Sequence, residues 1–190
     1  MKKTLPIALS NKHIHISQKH LDILFGEGHE LTKFKDLSQP GQYACEEKID
    51  IIGPKNTLKG VRILGPVRPE TQFEISISDA FTLGVNPFVR NSGDIEHTPG
   101  AKLVGPKGEV EIDKGIIVAA RHIHMHTTDG DDYGVADNDI VSIKVSGPRG
   151  LVFDNVLVRI HKTYALEMHV DVEEGNAAGI KNGDLVELIK

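Results

Sequence analysis

The sequence predicts a mainly β fold with short helices, arranged as two related β-barrels. Three observations carry that expectation: short apolar or alternating stretches, tight turns between them, and two internal repeats. The 190 residues include 19 glycines and 9 prolines spread along the chain, with Gly-Pro turns at Gly53-Pro54, Gly65-Pro66, Gly105-Pro106 and Gly147-Pro148. Short strands broken by such turns fit barrels or rolls better than a parallel α/β sheet.

In chain order, the first element is a helix framed by Ser17 and Gly26, where the Ser17 hydroxyl caps the start and Gly26 the end. Leu31 to Leu37, stopped by Gln39-Pro40-Gly41, reads as a turn of helix or a loop. Strands are expected at 49–52, 60–64, 72–77, 102–104, 109–112, 140–145 and 151–160, where β-branched or alternating residues dominate. Two more short helices are expected, at 77–83 and at 172–178.

The first repeat sets Asn11-Lys12-His13-Ile14-His15-Ile16 against Ala120-Arg121-His122-Ile123-His124-Met125, 109 residues later. The second pairs Gly134-Val135-Ala136-Asp137-Asn138-Asp139-Ile140-Val141 with Gly179-Ile180-Lys181-Asn182-Gly183-Asp184-Leu185-Val186, each a turn feeding a strand. Duplicated pieces at unequal spacing point to two related barrels, one carrying an insertion.

Composition narrows the chemistry. Ten histidines stand beside one cysteine and no tryptophan, and the formal charge is -5. No apolar run approaches the roughly 20 residues that span a bilayer, and no secretory h-region follows Met1-Lys2-Lys3. The acidic balance leaves no basic stripe for a nucleic-acid backbone. The lone Cys45 forms no internal disulfide, which suits a cytoplasmic protein. No Gly-x-Ser-x-Gly elbow, phosphate-cradling P-loop or dinucleotide Gly-x-Gly-x-x-Gly occurs, so serine hydrolase, P-loop and Rossmann chemistries lack support.

In an extended segment, residues two apart share a face at a Cα spacing of roughly 6.5 Å, so His13 and His15 can converge on one metal ion, as can His122 and His124. A single His-x-His pair is more commonly a polar strand edge. Two pairs at equivalent points of a repeat favour a metal, and with thiolates scarce the imidazole and carboxylate donors suit zinc. His126 extends the second pair and is held in reserve. His20, His29 and His97 read as surface or helix residues, and His161 as an exposed strand residue. His169, just before a helix that Asp171 can cap, reads as buried or capping. Arg68, Arg90 and Arg159 invite an anion, and the Ser92-Gly93 turn beside Arg90 can add donors. Cys45 precedes Glu46-Glu47, whose charges disfavour the thiolate, so it reads as a packing residue.

Five ordered motifs then carry a family resemblance: Ser10-Asn11-Lys12-His13-Ile14-His15-Ile16-Ser17; Leu64 to Arg68 leading to Thr71-Gln72-Phe73-Glu74-Ile75-Ser76; Val89 to Asp94; Arg121 to Met125; and Leu166-Glu167-Met168-His169. Over essentially its whole length the sequence resembles the PduL-type phosphotransacylases, the phosphate propanoyltransferase family. The resemblance implies reversible transfer of a short acyl group, propionyl or acetyl, between coenzyme A and inorganic phosphate. It implies two zinc ions per chain in a cleft between two β-barrel domains, residues 12–119 in one and residues 1–11 with 120–190 in the other. It assigns His13, His15 and Glu74 to one zinc, His122, His124 and His169 to the other, and Arg68 to phosphate. Arg90, Ser92 and Arg159 are weaker candidates for phosphate or coenzyme A. It also implies a homodimer. The N-terminus begins too close to the first His-x-His to hold the microcompartment-targeting extension of some relatives, so a free cytoplasmic enzyme is expected. Two departures stand out: Lys12 replaces the family's usual arginine, and Asn86-Pro87-Phe88-Val89-Arg90 replaces a commoner Ala-Pro-Val-Arg.

The residues alone leave two rivals open. One is a zinc-dependent hydrolase of a thioester or phosphoester; the other is a non-catalytic zinc-stabilised barrel that binds a ligand. An amidohydrolase barrel is disfavoured by length, since it takes about 250 residues.

Overall fold

The computed structural model describes residues 3–86 and 88–189. In chain order the elements are β1 (Thr4–Ser10), β2 (His13–His15), α1 (Gln18–Phe25), β3 (Lys33–Asp36), β4 (Tyr43–Ile52), β5 (Thr57–Gly65), β6 (Gln72–Glu74), α2 (Ile77–Leu83), β7 (Val89–Arg90), β8 (Ala101–Val104), β9 (Glu109–Ile112) and β10 (Ile116–Ala119). They continue with β11 (His122–Met125), α3 (Thr127–Tyr133), β12 (Ile140–Val145), β13 (Leu151–Ile160), β14 (Glu167–Asp171), α4 (Val172–Ala178) and β15 (Leu185–Ile189). The fold is mainly β, as the alternation and turn spacing predict.

The chain divides into two compact units. The first comprises Met1–Ser10, Ser38–Pro40 and Ala120–Lys190, and its six strands close into a barrel in the order β1-β14-β11-β13-β12-β15. Alternation fills it: Leu5 and Ile7 from β1, Ile123 and Met125 from β11, and Val156 and Val158 from β13 are all fully buried or nearly so. The second comprises Asn11–Leu37 and Gly41–Ala119 and carries a nine-stranded sheet. Its order is β7-β10-β6-β2-β5-β4-β8-β9, with β3 on β4, and Ile14, Ile63 and Phe73 lie in its core at 0% exposure. Among the described residues this sheet curls without closing.

Both units contain the same local plan. In the sheet, β2 lies between β5, parallel to it, and β6, antiparallel, with β10 parallel to β6 on its far side. In the barrel, β11 lies between β13, parallel, and β14, antiparallel, with β1 parallel to β14. The equivalence runs residue for residue. His13 faces Glu74 in register and His122 faces His169; Ile117 stands beside Glu74 and Ala8 beside His169. The 109-residue repeat therefore extends beyond the His-x-His motif to the strand that precedes it.

The helices follow from their ends. Ser17 caps α1 through its side chain, and Ser76 and Asp171 form reciprocal capping boxes with Asp79 and Glu174 at the starts of α2 and α4. Gly84, Gly134 and Gly179 end α2, α3 and α4 in the left-handed region, φ 62 to 79°, where a side chain would be strained. Three expectations change. Leu31–Leu37 contains strand β3, because its alternating Lys33-Phe34-Lys35-Asp36 pairs with β4. The strand expected at 72–77 stops at Glu74, since Ser76 is the cap of α2. His161 lies one residue past β13 in a turn, its Nδ1 held by Thr163. Pro87, within one of the two family departures, lies outside the described residues.

Candidate metal and anion site

Strand β2 is paired along both edges, and His13, Ile14 and His15 are all buried. Ile14 enters the core, which leaves the two imidazoles together on the opposite face, ring centroids 4.9 Å apart. Register brings Glu74 to them from β6. Its Oε2 is 3.5 Å from His13 Nε2 and its Oε1 3.8 Å from His15 Nε2. A tetrahedral zinc with bonds of about 2.0–2.1 Å separates its ligands by roughly 3.3 Å, close to the two spacings from Glu74. Among the described residues this is the one group of three His, Cys, Asp or Glu whose ligand atoms all fall within 4.8 Å of one another.

Protonation also suits a cation. His13 Nδ1 lies 2.8 Å from the Asn11 carbonyl. A carbonyl only accepts, so Nδ1 carries a proton and Nε2 is the nitrogen turned toward Glu74. Burial pushes His15 well below the ordinary histidine range, the neighbouring His13 and Arg68 add to the effect, and Glu74 and a hydrogen bond to the Leu64 backbone oppose it. His15 is therefore neutral, the state a metal requires. Its Nδ1 is buried, and its link to the Leu64 carbonyl falls short of full hydrogen-bond alignment.

The equivalent trio in the barrel is less converged. His122 Nδ1 meets the Ala120 carbonyl at 2.9 Å, matching His13 and Asn11. The rings of His122, His124 and His169 lie 4.7 to 5.2 Å apart, with His122 and His169 nearly parallel. His169 Nε2, however, is drawn to Glu167 Oε2 at 3.1 Å, an ion-pair distance without hydrogen-bond alignment. Burial raises Glu167, but His169, Ser38 and Gln39 outweigh it and hold the carboxyl below its ordinary range. Tyr164 packs on His124 with centroids 4.4 Å apart. His126 is absent from this cluster; its ring caps α3, accepting from the Thr128 N–H.

Beside the first trio stands a network of hydrogen-bond donors. The Arg68 N–H donates to the Ile16 carbonyl, which ties its loop to the residue after His15, and its Nη1 reaches Ser92 Oγ at 3.3 Å. Gln72 joins the two parts: Nε2 donates to Glu74 Oε1 at 2.7 Å and to Ser92 Oγ at 2.9 Å, and Oε1 accepts the Gly93 N–H at 2.7 Å. Sequence reasoning did not single out Gln72 or Glu167, although each sits two residues before a proposed ligand on the same strand face. Arg90 pairs with Asp94 at 3.6 Å and lies over Phe88, held by its own loop. Arg159 stands next to His124 in register on β13.

Cys45 is buried, and burial, then Glu47, pushes its thiol up to about 11. It is no nucleophile at neutral pH.

A family model described as phosphate propanoyltransferase matches residues 6–181. The chain belongs to that family. The transferase is 55% identical over 185 residues to a phosphate propanoyltransferase of Thermotoga maritima, covering 97% of this chain and 88% of that one. It is 48% identical over 186 residues to one of Clostridioides difficile, covering 98% and 89%. A third, from Sebaldella termitidis, is 51% identical over 178 residues, 93% and 84% of the two chains. No helix among the described residues is long and apolar enough to cross a membrane.

Proposed function

We propose that the protein transfers a short acyl group, propionyl or acetyl, reversibly between coenzyme A and inorganic phosphate, with one zinc ion on each histidine trio. The observation that carries this reading is the junction of a metal-ready trio with Arg68 and Ser92 through Gln72, in a chain of the phosphate propanoyltransferase family. Zinc bound at His13, His15 and Glu74 would supply Lewis-acid polarisation of the thioester carbonyl and charge for the oxyanion.

The chain's own groups do the rest. Arg68 offers a planar fork of donors that matches phosphate oxygens, and Ser92 adds a hydroxyl beside it. Holding phosphate there replaces a covalent acyl-enzyme by positioning. A phosphate oxygen attacks the acyl carbon, the C–S bond breaks, and the sulfur leaves as thiolate and takes the proton that phosphate gives up. The products are acyl phosphate and coenzyme A. A buried Cys45 thiol pushed up to about 11 favours this direct route over an acyl-cysteine. For the second trio, His169 turns from Glu167 to join His122 and His124. The same reading carries a homodimer, which sedimentation would show as twice the 20.8 kDa chain mass.

The test is thiol release from propionyl-CoA with and without phosphate. Phosphate-dependent release with stoichiometric acyl phosphate is expected. Release that ignores phosphate would identify a hydrolase, and no release in either condition would favour a binding barrel.

A further inference from the structure

We propose that Gln72 is a positioning residue that sets the Ser92 hydroxyl as a phosphate donor and holds the Glu74 carboxylate in its orientation at the metal site. This rests on the transferase reading and deepens it.

The neighbours of the Gln72 amide dictate its orientation. The Gly93 N–H only donates, so the amide atom 2.7 Å away is the oxygen. The two hydrogens of Nε2 then go to Glu74 Oε1 at 2.7 Å and Ser92 Oγ at 2.9 Å. Gln72 is 3% exposed, and these three bonds leave no amide hydrogen to spare.

The consequence falls on Ser92. Its oxygen accepts from Gln72 Nε2 and from Arg68 Nη1, and neither nitrogen can accept in return. With both lone pairs engaged, the hydroxyl proton is the group left to address a ligand, and it does so beside the Arg68 guanidinium. A donor next to a cation selects an anion with acceptor oxygens, which describes phosphate. The same amide holds Glu74 Oε1, so Oε2, 3.5 Å from His13 Nε2, is presented toward the first histidine. One side chain thereby orients the metal-side carboxylate and the anion-side hydroxyl together. The corresponding register position in the barrel, opposite His124, holds Glu167, a carboxylate that donates to nothing. The anion function therefore belongs to one repeat and not the other.

The experiment measures binding of inorganic phosphate to the zinc-loaded protein by calorimetry, together with KM for phosphate and for propionyl-CoA, in wild type, Gln72→Leu, Ser92→Ala and the double variant. Gln72→Met, nearly the same volume, is carried in parallel in case the leucine variant unfolds. Gln72→Leu is expected to weaken phosphate binding and raise its KM by about tenfold or more while the KM for propionyl-CoA moves less than about twofold. In the Ser92→Ala background the Gln72 substitution should add little further loss in phosphate affinity, because the two act through one hydroxyl. Wild-type phosphate affinity in the Gln72 variants, equal rises in both KM values, or full additivity with Ser92→Ala overturns the inference while leaving the transferase reading intact. If the wild type binds phosphate in this Gln72-dependent way yet transfers no acyl group, the transferase reading fails instead. Failure of the wild type to bind phosphate overturns both.

Discussion

The two histidine trios are built on one plan and differ in what their third position does. In each, the first histidine's Nδ1–H donates to the carbonyl two residues earlier, Asn11 or Ala120, and the residue faces the third member across an antiparallel pair. In each, the residue before the first histidine is a cation bound to the capping carboxylate of the helix after the third member: Lys12 to Asp79 at 2.7 Å, Arg121 to Glu174 at 3.2 Å. The third member is Glu74 in one unit and His169 in the other. Glu74 converges on both of its histidines, whereas His169 leans on Glu167. Duplication preserved the backbone frame, and the register neighbours Gln72 and Glu167 decide which ligand atoms point inward. The lysine that departs from the family's arginine keeps the same ionic tie.

The largest expected effects separate the trios chemically. Replacing His13 or His122 by alanine should each lower phosphate-dependent turnover by more than about 100-fold, since losses at the supporting shell alone reach 10–100-fold. Steady-state kinetics on both variants checks this, and full activity in either would remove that trio from the reaction.

Next come the cores beneath them. Ile14 and Ile123 are equivalent and fully buried, one in each unit. Ile14→Ala and Ile123→Ala should each cost about 2–5 kcal/mol, read by denaturant unfolding. A much smaller loss at one of them would break the equivalence of the two units.

A third test uses pH, on a buried carboxylate of the sheet unit. Glu47 is buried; burial raises it, but the His29 and Thr32 hydrogen bonds prevail and hold it below its ordinary value. Its stabilising contribution is thus full above its unfolded value of about 4.3 and fades as pH falls through the lower folded value. Glu47→Gln should lower stability by about 1–3 kcal/mol at pH 7, with the gap to wild type closing below about pH 4 in thermal scans. The ionic ties give the smallest effect. Lys12→Ala and Arg121→Ala should cost about 0.5–1 kcal/mol each, both eased by salt.

Much of this architecture was legible because local chemistry fixed it. Ser17, the 77–83 segment and Asp171 announced three helices, and strict alternation marked β9, β12 and β13. Helix α3 was not foreseen, because Thr127-Thr128-Asp129-Gly130 are poor helix formers and the packing of the duplicated frame overrides them. Strands β2 and β11 are three and four residues long, too short for periodicity to declare. The His-x-His pairs were visible as a repeat, yet the lean of His169 toward Glu167 and the bridging by Gln72 depend on rotamers and cross-strand register, which spacing does not encode.

The central claim is that each trio holds one zinc ion. Metal analysis of the purified wild type, Glu74→Ala and His169→Ala by plasma mass spectrometry tests it directly. Two zinc ions per chain are expected in the wild type and one in each variant. Equal zinc in all three proteins, or none in the wild type, would contradict it.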